Sequence, residues 1–164
     1  MDYLGWIGEP EQARDEMLAL LLRAGELGDE SSLPFVFGHL GLVEAELGDL
    51  ETALGRTLDG QEAAEQAGQR ATFAFNLALE ALIQGQLGRE DLARAAARHA
   101  LELVPETAGR QAELHATHAL GHLELSLGDP AAAVRRIEPM LVSSRMRGSL
   151  SRPQFASSST RSRR

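Results

Sequence analysis

Residues 115–122 read HATHALGH. His115, His118 and His122 fall at i, i+3 and i+7, so a helix places all three on one face. Three readings are open: a metal site, a solvated polar face, or a patch that contacts a peptide, a partner helix or a small ligand. Geometry opposes the first. The spacing spans about 10 Å along a helix axis. Three ligands on one straight helix do not converge on an ion at about 2.1 Å.

Composition removes several other chemistries. There is no cysteine, so disulfides and thiol nucleophiles are excluded. All 16 basic residues are arginine, which rules out a Walker lysine, a Schiff-base lysine and a lysine general base. The 24 acidic residues read as solvated faces, since acid–base carboxylates need a cleft and a raised pKa. The chain is therefore expected to be non-enzymatic, with no cofactor and no metal. It shows no membrane-length apolar run and no signal peptide, which predicts a soluble cytoplasmic protein.

The net charge of −8 is unevenly placed. Residues 143–164 hold six arginines and no acid, leaving ten arginines and 24 acids in the body, or −14. An acidic body repels nucleic acid and favours neutral or cationic partners. The Ser/Arg-rich end lacks helical periodicity and is expected to be a disordered tail. Its arginines would also suit a nucleic acid or an acidic surface.

An internal repeat sets the frame for the histidines. Leu47-Gly48, Leu87-Gly88 and Leu127-Gly128 recur with a constant period of 40, and Ile7-Gly8 extends the series backwards. Ala13, Ala53, Ala93 and Ala133 then fall in one column. Each glycine suits the left-handed position that closes a helix. The Asp, Glu or Pro that follows suits a helix start. The chain is rich in helix formers and has no strand pattern. The pattern predicts helices at 9–27, 31–47, 50–67, 70–87, 90–104, 110–127 and 130–142. Ser31 or Ser32 with Pro34 marks the second start. Gly109 falls one residue late, which predicts a slightly shortened helix after it. Gly55 and Gly60 weaken the third helix by roughly 1 kcal/mol each. Gly41, Ala81 and Gly121 share a second column, where small residues admit a neighbouring helix. Glu44, Gln84 and Glu124 share a third, near the helix–helix seam.

The run of a small residue, Leu-Gly-Asp and Ala resembles the tetratricopeptide repeat. It is carried by Leu40-Gly41, Leu47-Gly48-Asp49 and Ala53, and again by Gly121, Leu127-Gly128-Asp129 and Ala133. ALELVPE, residues 100–106, resembles the end of such a repeat. The unit here is longer than the usual one of about 34 residues. GDESSLPF (28–35), AEQAG (64–68) and GHLELSLGDPAAAVR (121–135) are similar to the longer repeats of LuxR-type, ATP-dependent transcriptional regulators of the maltose-regulator-like group. The resemblance covers residues 1–141. It implies an all-α, tetratricopeptide-type α-solenoid of antiparallel helical hairpins over 1–142, followed by the tail at 143–164. Its implied role is a sensor or protein-interaction scaffold, taken without the NTPase and DNA-binding domains of such regulators. A stand-alone adaptor that binds peptides or helices is the alternative. Met1 aligns with Gly41, Ala81 and Gly121 in mid-helix, and no capping helix follows residue 141. The chain is accordingly expected to be a truncated piece of a longer regulator, with self-association open through uncapped ends.

The resemblance also implies a concave groove lined by the first helix of each repeat. The matching columns give Phe35, Gly38, Leu42 and Glu46, then Phe75, Ala78, Leu82 and Gln86. The third set is His115, His118, His122 and Ser126. Phe35 and Phe75 are groove anchors on this reading, or ordinary inter-repeat packing. The implied occupant is a protein or peptide partner or a small effector, with no direct nucleic-acid or membrane contact.

Overall fold

The computed structural model describes residues 9–107 and 109–150, the side chains of 106 and 141–150 excepted. Among the described residues the chain is all-helical, with no strand. The helices are α1 (Pro10–Leu27), α2 (Leu33–Glu46), α3 (Leu50–Gln66), α4 (Arg70–Gln86), α5 (Glu90–Thr107), α6 (Arg110–Ser126) and α7 (Pro130–Leu150). No helix among them is long and apolar enough to cross a membrane.

The turns explain the even rhythm. Gly28, Gly48, Gly68, Gly88 and Gly128 all have φ between 64° and 86°. Each closes its helix with the same pair of bonds. At Gly48, for example, its N–H donates to the Ala45 carbonyl at 3.1 Å and Asp49 N–H donates to Glu44 at 3.0 Å. This Schellman arrangement needs the left-handed conformation that glycine adopts without strain. A turn falls at Gly28, Gly48, Gly68 and Gly88, so one period of the repeat is two helices and two turns. The series breaks once. Gly109 has φ −73°, and Thr107 Oγ1 instead accepts its N–H at 3.2 Å while donating to the Leu103 carbonyl at 3.0 Å. The late glycine does not shorten the next helix: α6 and α4 both have 17 residues.

Two other boundaries differ from expectation. The hydroxyls of Ser31 and Ser32 both donate to the Asp29 carboxylate at 2.6 Å and do not cap α2. Those bonds hold the Asp29 carboxyl below its ordinary pKa. At the other end, α7 runs on to Leu150, past the expected end at 142. Arg, Met and Leu in this stretch are good helix formers and serine is tolerated, so helix does not require the apolar periodicity that ends at 142. The rest of the predicted tail, 151–164, lies outside the described residues, as do Met1–Gly8.

Consecutive helices pack against each other all along the chain. Beyond that, α2 touches α4 and α4 touches α6, while no two odd-numbered helices touch. Bonds between alternate turns hold the register. Gln69 Nε2 donates to the Ser31 carbonyl at 2.8 Å, and Arg89 pairs with Glu51 at 2.7 Å. The core is built mainly from small residues. The column alanines Ala13, Ala53, Ala93 and Ala133 are all at most 2% exposed. A Cβ on Gly41 would lie 2.9 Å from Thr57 Cγ2 of α3, and one on Gly121 would lie 2.7 Å from Ile137 Cδ1 of α7. The small-residue column thus faces the following helix. Glu44 and Gln84 are buried and Glu124 half-buried at the seam.

Candidate binding face

The even-numbered helices carry the residues that the repeat register places in one set of columns. Their side chains form an aromatic row. The Phe35 ring on α2 stacks on His39 with centroids 4.0 Å apart. His39 lies 5.3 Å from Phe75 on α4. Phe75 in turn meets the edge of His115 on α6 at 5.3 Å. The register assigns Phe35, Phe75 and His115 to one column, and the structure brings them together. It gives no place to His39. The signal for that residue is local: it sits at i+4 from Phe35, where a helix stacks two side chains. The next two units place Leu79 and Ala119 at its position, so no column marks it.

Burial along the row is uneven. Phe35 is 40% exposed, while Phe75 is 3% and Leu82 8% exposed. Phe75 and Leu82 are therefore packed between helices, and of the two only Phe75 reaches a concavity. The reason is close approach of the even helices. A Cβ on Gly38 would fall 2.9 Å from Phe75 Cε1 and 2.7 Å from Asn76 Oδ1, so α4 fills the space that a groove would need. Leu42 is half-buried against the same core. Glu46, Gln86 and Ser126 form an exposed polar row at the other end of these helices. Ser126 Oγ is engaged with the Leu123 carbonyl at 2.8 Å.

The accessible concavity lies at the Phe35 end. A cavity of about 290 Å³ is bounded by Phe35 and Phe75, by Ala71 and Thr72 of α4, and by Arg110 and Gln111 of α6. Its lining is apolar at the base, with three neutral polar side chains, Thr72, Thr107 and Gln111, and one guanidinium. Among the described residues no carboxylate borders it. A second hollow of about 370 Å³ lies beside Phe73, His99 and Leu103, with Glu65 and Arg70 at its rim.

The histidines divide by environment. His39 Nδ1–H donates to the Phe35 carbonyl at 2.9 Å. Burial lowers its pKa, and that bond offsets the shift in part. Burial, then the charges of His118 and His39, pushes His115 down to about 4. His118 is lowered by burial and by His122. All three favour the neutral imidazole, which donates one hydrogen bond and accepts another. The His118 and His122 rings are 6.5 Å apart and nearly perpendicular. Among the described residues no three His, Asp or Glu side chains are placed to hold a metal ion.

Comparison of the chain with protein-family models, with curated proteins and with solved structures returns no match.

Proposed function

We propose that this chain is a tetratricopeptide-type α-solenoid of antiparallel hairpins that acts as a binding scaffold and not as an enzyme. The reading is supported by the constant turn chemistry and by a packing order in which only neighbouring helices and successive even-numbered helices touch. One observation carries the binding role. The Phe35 ring ends a buried aromatic row, is itself 40% exposed, and borders the 290 Å³ cavity. An exposed aromatic beside a hollow of that size is a seat for one apolar side chain of a peptide or partner, or for a small effector. The residues proposed as contacts are Phe35, Thr72 and Arg110, with Glu46, Gln86 and Ser126 as a polar rim at the far end.

The repeat phrases further favour descent from the sensor segment of a LuxR-type regulator working in the cytoplasm. In that architecture, occupancy of the helical face would change its contacts with an NTPase module and so release a DNA-binding module. Coding sequence for either module beside this one in the genome would support that parentage.

Binding is testable with a displayed peptide library selected on the full chain and counter-screened on Phe35→Asp. Phe35 is partly exposed, so the substitution leaves the core intact, as helical content by circular dichroism will check. The expected result is peptides that hold the wild-type chain and lose Phe35→Asp by at least tenfold, since an anchoring aromatic is worth about 2 kcal/mol. Peptides that bind both chains equally would remove Phe35 from the site.

A further inference from the structure

The register exposes a difference at α6. The stripe Ala74, Ala78, Leu82 and Gly85 on α4 is buried or half-buried because α6 lies on it. The equivalent stripe on α2, Pro34, Gly38, Leu42 and Ala45, is covered in the same way by α4. One repeat further on, the stripe is Leu114, His118, His122 and Leu125. All four are exposed, Leu114 at 49% and Leu125 at 55%. Helix α7 shows the same change. Leu54 of α3 is 8% exposed beneath α4, and its counterpart Val134 is 61% exposed. Among the described residues, α6 and α7 therefore present an open seat of the shape that α4 and α6 fill within the chain.

We propose that this seat is the contact face of a symmetric dimer of the chain, with α6 of one copy lying antiparallel on α6 of the other. The stripe is self-complementary. It reads Leu-His-His-Leu from either end, so a twofold axis at its middle sets Leu114 against Leu125 of the second copy. The same axis sets His118 against His122 of the second copy. A twofold interface requires that kind of reciprocity. The flanks are complementary in charge. Arg110 lies shortly before the stripe and Asp129 shortly after it, and antiparallel packing brings these opposite charges to the same end. The area is sufficient for a weak dimer. Two helices side by side, about 25 Å long and together about 20 Å across, offer roughly 500 Å² each. A total of about 1,000 Å² is the lower bound for a specific interface. The face also continues the α2–α4 and α4–α6 packing surfaces, so it needs no rearrangement to receive a helix.

Sedimentation equilibrium of the full chain over a wide concentration range tests the proposal. The average mass is expected to rise from one chain to two, and Leu114→Glu/Leu125→Glu is expected to abolish the rise while keeping its helical circular dichroism. A single-chain mass throughout, or a double variant that still dimerises, would overturn it. The absence of native cysteine gives a second measurement that does not depend on that variant. Chains carrying Leu114→Cys mixed with chains carrying Leu125→Cys should form disulfide-linked pairs several times faster than either variant alone. Equal self-linking by Leu114→Cys would sink the antiparallel register. Slow thiol labelling of Leu114→Cys in a single-chain species would show that other residues of the same chain cover the seat, and that too would overturn the dimer.

Discussion

The joint between α3 and α4 and the joint between α5 and α6 occupy equivalent places in successive repeats, and they are filled differently. In the first, Gly60 abuts Asn76, so closely that a Cβ on Gly60 would collide with the amide. In the second the same positions are Ala100 and Ala116, both fully buried in one apolar cluster. At one rim Leu54 packs with Ile83 in the first joint. In the second, Arg94 takes the place of Leu54 and pairs at 2.8 Å with Glu124, the neighbour of the buried Leu123 that takes the place of Ile83. At the other rim Gln61 Nε2 donates to Glu80 at 2.8 Å, where the second joint packs Leu101 with Leu120. Each joint thus keeps one polar pair and one apolar pair but exchanges their ends. What repeats is the summed size across the joint, since close packing fixes volume more tightly than identity.

The sharpest way to break that comparison is to change one size without the other. Asn76 is fully buried, and its Nδ2 donates to the Pro34 carbonyl at 3.1 Å and the Thr72 carbonyl at 2.9 Å. Its Oδ1 has no hydrogen-bond partner and is wedged between Gly38 and Gly60. Gly60→Ala should therefore destabilise by about 3 kcal/mol through overpacking and displacement of the amide. Asn76→Ala should cost about 2 kcal/mol for the lost bonds and the void. Gly60→Ala/Asn76→Ala rebuilds the Ala100/Ala116 joint and should be less destabilised than Gly60→Ala alone, which requires a coupling of more than about 2 kcal/mol. Urea unfolding followed by circular dichroism measures all three. Additive losses would mean that the two joints are not interchangeable.

Acid probes a second pair of joints, those that meet at Phe75. Helix α2 sets His39 against this ring and α6 sets His115, both at 5.3 Å. An unfolded histidine titrates near 6.5, whereas folded His115 is held at about 4. Both states are neutral above pH 6.5, so stability is fully present there. As pH falls from 6.5 toward 4 the unfolded chain takes up the proton first, and stability is lost until the folded form also binds it. For His115 the loss should reach about 2 kcal/mol, allowing for partial solvation of the ring. His39, shifted in the same direction, adds to it. His115→Phe, which extends the Phe35/Phe75 column, should remove its share of the difference in unfolding free energy between about pH 7 and pH 4.5. An unchanged acid response would remove His115 from the effect and leave it to His39 and His118, which are shifted in the same direction.

Most of the fold is legible in the sequence because its strongest signals are local. A glycine with positive φ is required wherever a Schellman turn closes a helix, so Gly48, Gly88 and Gly128 mark boundaries by residue type alone. Ala53 and Ala93 are legible because a column alanine under a neighbouring helix has no larger substitute. The joints are not legible. Gly60 reads in sequence as a weak point in a helix, and only the position of Asn76 on the next helix gives it a purpose. The binding face is half legible. The columns place Phe35, Phe75 and His115 in one row, but column membership does not say which members are covered. Phe75 and Leu82 are buried because the next even-numbered helix lies against theirs, and His118 and His122 are exposed because no further even-numbered helix is described beyond α6.

The smallest effect isolates propensity from packing inside a single helix. Gly55 and Gly60 both lie in α3, one turn and a fraction apart, and both carry the same intrinsic penalty in a helix interior. Their surroundings are opposite. Gly55 is exposed with nothing within 4 Å of where a Cβ would stand, and its φ is not in the left-handed region. Gly55→Ala therefore removes backbone freedom from the unfolded chain without adding a clash, and should stabilise by about 0.5–1 kcal/mol. The sign is the informative quantity. The same substitution at two sites on one helix is expected to raise the urea midpoint at 55 and lower it at 60, with the slope unchanged at both. A loss at Gly55 as well would mean that α3 needs flexibility for its own sake, and the Gly60–Asn76 fit would then no longer explain why α3 carries two glycines.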